Sequence, residues 1–306
     1  MTENTLALRL KKKFISKNFL VSLLSSVFKL ILLIGLCFII IYPLIVKISS
    51  VFMSDTDLFD KTVILIPRAP TLANLEFVIL RAGYLPALIN SVWTSFLAAL
   101  IQTFICTLIG YGFAKFRFTG NKIMFGAVIF TMLIPPQTLI TPMYLFFRQL
   151  KILDTFVPVI VLSLTGLAFK NGLYIFMMRQ VFKGVPDELS EASTVDGANN
   201  AVTFFKIMLP LAGAMMTTMF LLSFSWQWTD TYYSTLLYNE MSVLPNLVSR
   251  AAFMLRDDLS INYQGSQASA VLSNTAIFLT IIPLLILYLF AQKRFVQGIE
   301  SSGIVG

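Results

Sequence analysis

A chain that makes or breaks bonds needs nucleophiles, bases or metal ligands within reach of one another, and this one offers few. It contains no histidine, the usual general base, proton relay and metal ligand. Its two cysteines, Cys37 and Cys106, both lie inside apolar runs, which argues against a disulfide framework and a thiolate metal site. No G-x-x-x-x-G-K-[ST] loop occurs, so the chain carries no nucleotide-binding loop of that kind. No carboxylate pair stands within the apolar runs to share acid and base roles. We therefore expect no catalytic residue, no metal site and no cofactor held by this chain. What remains is the chemistry of recognition.

The polar residues best arranged for recognition lie between Pro186 and Pro210, PDELSEASTVDGANNAVTFFKIMLP. Pro186 suits a first helical position, and Asp187, Glu188 and Glu191 bring negative charge to a helix N-terminus, where it is favoured. Leu189, Ala192 and Ser193 fall at i, i+3 and i+4, which predicts one small, apolar docking face. Asp196 and Gly197 read as a stop and turn, because glycine accepts the left-handed conformation that ends helices. A second helical pattern starts near Asn199 or Asn200. Two short helices meeting at a glycine corner look built to be gripped.

The elements that hold this stretch are membrane spans. Hydrophobic residues make up 57% of the 306 and charged residues only 12%, against roughly 25% charged in soluble domains. Mean hydropathy is +0.81. A net charge of +8 is thus a matter of where the charges lie, and it does not imply nucleic acid. The reading is an all-α membrane protein with six spans near 27–48, 87–114, 123–136, 156–182, 205–228 and 268–291. A basic tail (1–26) precedes the spans, and a polar tail (293–306) follows them. Lys and Arg gather in the short segments beside one set of span ends, which places both termini and the 186–210 loop in the cytoplasm. Pro135-Pro136 predicts that the third span breaks into a lateral segment. Asn90, near the start of the second span, reads as a helix cap.

At this point the residues carry a resemblance. Glu191-Ala192-Ser193, three residues, Gly197, nine residues and Ile207-Met208-Leu209-Pro210 match the pattern E-A-A-x3-G-x9-I-x-L-P. This resembles the loop of the permease subunits of binding-protein-dependent ABC importers, with Ser193 in place of the second alanine. Residues 110–118 (GYGFAKFRF), Ile134-Pro135-Pro136 with Pro142, 176–182 (FMMRQVF) and the tail 292–306 are similar to carbohydrate importers of the maltose type, in particular their shorter permease. The likeness runs from about Tyr42 onward.

The resemblance implies a type I ABC importer permease fold, with a coupling-helix loop between the fourth and fifth spans. It places the ATPase-coupling site at Glu188, Glu191, Ala192, Ser193, Asp196 and Gly197. The implied partners are a second, homologous permease in a heterodimer, two ATP-binding subunits that hold ATP and Mg, and an extracytoplasmic solute-binding protein. The expected setting is a bacterial or archaeal cell membrane, and the cargo a carbohydrate, preferably an oligosaccharide. Trp226, Gln227, Trp228, Asp230 and Tyr232 then have two readings: an aromatic belt at the interface, or a platform for sugar rings. Lys170 and Asn171 lie inside the fourth span, where an ionisable residue faces a cavity or a partner or snorkels to an interface. The loop 230–267 is either a solvated connector or a segment that reaches the binding protein. An ion-driven secondary transporter is the rival; such folds show inverted repeats and midplane acids, and here no acid lies in the middle of an expected span.

Overall fold

The computed structural model describes residues 17–257 and 266–303, and among them every regular element is helical. The main helices are α1 (Lys17–Val51), α2 (Tyr84–Lys115), α3 (Asn121–Thr131), α4 (Ile140–Gln149), α5 (Val157–Leu164) and α6 (Asn171–Gly184). They continue as α7 (Glu188–Val195), α8 (Asn200–Thr203), α9 (Gly213–Thr229), α10 (Tyr232–Leu237), α11 (Leu244–Asp257) and α12 (Ser266–Gly303). The chain divides into a unit ending at Ala73 and a second running from Asn74.

In the first unit, the segment after α1 folds back on the helix end. Ser49 Oγ donates to the Leu65 carbonyl at 2.6 Å and Thr71 N–H to the Phe52 carbonyl at 2.9 Å. Buried Asp57 accepts the Ala69 N–H at 2.9 Å. The half-buried Asp60 accepts from Thr62 and from Arg68, both within 2.9 Å, and these donors, Thr62 foremost, hold its carboxyl below the ordinary range.

The second unit is organised on α2. Its buried positions include Ser91, Ser95, Ala98, Gln102, Cys106 and Gly110, a stripe of small and polar side chains recurring every three or four residues. The large residues Leu100, Phe104 and Leu108 point outward. In a membrane the apolar exterior meets lipid, and close backbone approach drives helix association. Gly110 marks the tightest place: a Cβ there would stand 2.6 Å from Met178 Cβ and 2.9 Å from Arg179 N on α6. One core joins α2, α6 and α9 through Tyr111, Tyr174, Met178, Phe182, Met208 and Met219.

The spans differ from expectation in two places. Among the described residues three helices are long and apolar enough to cross a membrane, within 21–51, 84–115 and 269–293, or up to five if each bent pair counts as one. The expected break in the third span is present: α3 stops at Thr131 and the chain resumes from Pro136 at 95°. The segment 156–182, expected as one span, is instead two helices. Gly166 (φ 71°) and Lys170 (φ 66°) adopt left-handed backbone, and the Leu167 and Ala168 N–H groups both close on the Leu162 carbonyl at 3.0 Å. That is how helices end, not how they continue. The helix expected from 205 also starts late. Residues Asn200–Leu211 run at 75° to Gly213–Thr229, so Phe205 belongs to the arm before α9.

Two smaller expectations fail as well. Asn90 lies inside α2 and is no cap; its amide donates to the Ser242 carbonyl at 2.9 Å. The described part of 230–267 is no solvated connector. Leu237, Leu244, Leu247 and Ala251 are buried, the Leu244 N–H donates to Ser91 Oγ at 2.8 Å, and Asp154 accepts the Glu240 N–H at 2.7 Å. The tail after Arg294 continues as backbone helix to Gly303, beyond the Ala291 limit of the expected span. The expectations for the basic tail before Lys17, for residues 258–265 and for the last three residues lie outside the described residues.

Candidate functional site

The glycine corner forms as its residue types dictate. Helix α7 begins at Glu188, two residues after Pro186, so the proline precedes the helix instead of opening it. The Ser190 and Glu191 N–H groups reach the Asp187 carbonyl at 2.9 and 3.0 Å. At the other end the Ala198 N–H closes on the Ser193 carbonyl at 3.0 Å, and Gly197 takes φ 81°. Asn199 then caps α8, its side-chain oxygen accepting the Val202 N–H at 2.9 Å. The expected second helix starts where the sequence places it.

Glu188, Leu189, Glu191, Ala192, Asp196 and Gly197 are all exposed. No Cβ obstruction lies within 4 Å of Gly197, so its surface is open. Ser193, expected on the outward face, turns inward. It is 5% exposed and shares a 2.5 Å hydroxyl contact with Thr203 of α8, itself 4% exposed. The serine that replaces alanine therefore pins the two short helices to each other, and the outward apolar face is carried by Leu189, Ala192 and Val195, the last 87% exposed.

A residue outside the expected set fixes this knob to the bundle. Lys115, at the end of α2, directs its ammonium to the Val185 carbonyl and to Asp187 Oδ1, both at 2.6 Å. The Lys115 side chain is buried and that of Asp187 exposed. The hydrogen bond and charge of Lys115 hold the Asp187 carboxyl below the ordinary carboxylate range. The sequence signal was the basic turn after the second span, which reads as topology alone until the fold brings it to Asp187.

The second candidate lies at the break between α5 and α6. Lys170 Nζ stands 4.9 Å from the ring centroids of both Phe169 and Trp226. Phe169, Trp226, Gln227 and Asp230 line a pocket with Gln102, Tyr174 and Ser223. Its volume is about 10 Å³, room for about one water. Gln102 and Ser223, both buried, are hydrogen-bonded across α2 and α9, and the Gln102 amide donates to the Phe169 carbonyl at 3.3 Å. Neither residue stood out in sequence, since a single Gln or Ser within an apolar run looks incidental. Asn171 is 2% exposed, and neither atom of its carboxamide has a partner among the described residues.

The aromatic run splits by helix face. Trp226 is exposed and Tyr232 likewise, whereas Trp228 is 1% exposed, donates Nε1–H to the Thr280 carbonyl at 3.0 Å and stacks on Phe224. Trp228 is a packing residue between α9 and α12. Asp230 accepts the Tyr233 and Ser234 N–H groups at 2.9 and 3.2 Å, capping α10. Burial raises its carboxyl above the ordinary range, and these N–H groups oppose the shift.

The family described as binding-protein-dependent transport system inner membrane component matches residues 106–301. That range takes in the glycine corner, the broken helix and most of α12. The chain belongs to this family. Among similar proteins is the arabinooligosaccharides transport system permease protein AraQ of Halalkalibacterium halodurans. It is 28% identical over 276 residues, covering 89% of this chain and 93% of that one. The sn-glycerol-3-phosphate transport system permease protein UgpE of Yersinia pestis is 26% identical over 280 residues, covering 89% and 95%. The fold is that of a crystal structure titled as a bacterial ABC transporter involved in the import of the acidic polysaccharide alginate. It has a TM-score of 0.74 and 22% identity, with 92% of this chain and 99% of that chain covered. This inner membrane component is thus a membrane-embedded transport permease, and the resemblance read from residues 191–210 holds.

Proposed function

We propose that the chain is one permease subunit of an ATP-driven carbohydrate importer, with the segment 186–210 as the point where a separate ATPase drives it. The observation that carries this reading is the exposed, internally braced corner at Gly197, tied by Lys115 to the end of α2. A part that transmits force must be stiff and must be attached to what it moves, and this one is both. Glu188, Glu191, Ala192, Asp196 and Gly197 form the gripped face, and Ser193 braces it from inside. ATP and Mg reside on two partner subunits. A second permease completes the path as a heterodimer, and an extracytoplasmic solute-binding protein delivers the cargo. The loop and both termini lie in the cytoplasm of a bacterial or archaeal cell.

The cargo is a carbohydrate, preferably an oligosaccharide, as the name of the similar arabinooligosaccharides permease suggests. Lys170, Asn171, Trp226, Gln227, Asp230 and Tyr232 are the path candidates. Trp228 supports them through packing only. ATP closes the partner subunits, the corner moves with them, and the bundle opens to the docked binding protein; hydrolysis resets it.

Uptake in membrane vesicles tests the reading. We expect transport that survives a collapsed ion gradient and stops without ATP; the reverse dependence identifies an ion-coupled carrier and overturns the proposal. Gly197→Asp is expected to insert normally and to abolish ATP-driven uptake, because a side chain at φ 81° disturbs the gripped surface. Undiminished uptake by that variant removes the corner from the mechanism.

A further inference from the structure

We propose that Lys170 selects the charge of the cargo: this permease carries a sugar bearing a carboxylate or a phosphate. The inference rests on the transport reading above and names its substrate class.

The Lys170 ammonium lies over two aromatic rings, and neither neutralises it. Its ammonium lies 4.9 Å from the faces of Phe169 and Trp226, and no carboxylate of a described residue stands within 4.0 Å. An ammonium at membrane depth is costly unless it meets water or an anion. Two ring faces hold a cation in place without cancelling its charge.

The backbone puts it there deliberately. Lys170 adopts φ 66°, a conformation that costs an L-residue about 1–2 kcal/mol and that glycine would take freely. It is fixed by the Asn171 N–H on the Ala168 carbonyl at 3.1 Å and the Tyr174 N–H on the Lys170 carbonyl at 3.2 Å. Lys170 also stands at the N-cap of α6, a helix of 14 residues, whose dipole adds positive potential at that end.

One neighbour completes the argument. Asp230 is the acid that lines the adjoining pocket, and its Oδ2 is committed to the N–H groups of Tyr233 and Ser234. With that carboxylate turned to the α10 backbone, the ammonium of Lys170 has as its own neighbours two aromatic faces, one of them exposed, and no carboxylate of a described residue within 4.0 Å. In the proposed complex a sugar ring stacks on the exposed face of Trp226 and its acidic group pairs with the ammonium of Lys170.

The test uses the intact importer, co-purified with its partner permease, ATPase and binding protein and reconstituted in proteoliposomes. ATP-dependent uptake is measured for neutral oligosaccharides, oligouronides of equal length and sugar phosphates. Wild type is compared with Lys170→Met, which keeps the stem over the rings, and Lys170→Arg, which keeps the charge. The expected result is uptake of one anionic class, with KM for it raised at least about ten-fold in the Met variant, as for a lost charge-assisted hydrogen bond. The Arg variant keeps the preference. Which anionic class is taken separates carboxylate from phosphate. Uptake of neutral sugars alone, or a Met variant with unchanged KM for the anionic sugar, overturns the charge assignment while leaving the carbohydrate importer standing. No ATP-dependent uptake of any sugar overturns both.

Discussion

At the scale of single residues, Lys115 and Ser193 carry more than their sequence context suggests. Lys115→Met removes the ammonium from the Val185 carbonyl and from Asp187. We expect normal membrane levels but loosened coupling, read as ATP hydrolysed per sugar imported. The same pair sets an acid limit. Because the folded Asp187 carboxyl titrates below its unfolded counterpart, its contribution is fully present above the ordinary carboxylate pKa and is lost as pH falls through the depressed value. Tight coupling at neutral pH should therefore fail in acid, and Asp187→Asn should be loose at both, as measured by the same ratio. Ser193→Ala loses one hydroxyl contact, while Thr203 keeps its 3.2 Å bond to the Asn199 carbonyl. The cost is about 0.5–1.5 kcal/mol, visible as a small drop in melting temperature together with a modest rise in ATP hydrolysed per sugar imported.

At the scale of elements, the meeting of α2 and α6 depends on Gly110. Gly110→Ala forces a methyl against Met178 Cβ and the Arg179 backbone, and overpacking of this kind costs about 1–3 kcal/mol. Gly112→Ala, with nothing within 4 Å of its Cβ position, should melt like the wild type in detergent and serves as the control. Local patterns made some elements legible and left others hidden. The Glu191–Gly197 corner and the start of the second short helix near Asn199 or Asn200 were legible because short-range backbone chemistry decides both. The break at Pro135-Pro136 was legible for the same reason. The break at 165–170 was not, since Gly166 within an apolar run is tolerated in a helix and Lys170 gives no hint of a left-handed backbone. Nor was the inward turn of Ser193, which depends on where Thr203 lies ten residues later. Asn90 shows the same limit: a helix cap is a local guess, whereas its partner Ser242 is 152 residues away.

At the scale of the whole molecule, the small-residue stripe of α2 and the outward large residues describe a bundle solvated by lipid, and the family match over 106–301 covers the parts that would move and be moved. On the proposed reading, recognition of cargo and coupling to an engine are kept apart in the chain: one at the α5–α6 break, the other at Gly197, with α6 running between them. The tie from Lys115 has a consequence for how such proteins diversify. The segment 186–210 is no portable cassette, because its anchor lies 72 residues earlier at the end of another helix. A chimaera that grafts the segment alone into a relative would bring the gripped face and leave the attachment behind. Recombination that yields working hybrids must inherit both pieces from one parent, so productive crossover points should be rare between residues 115 and 187.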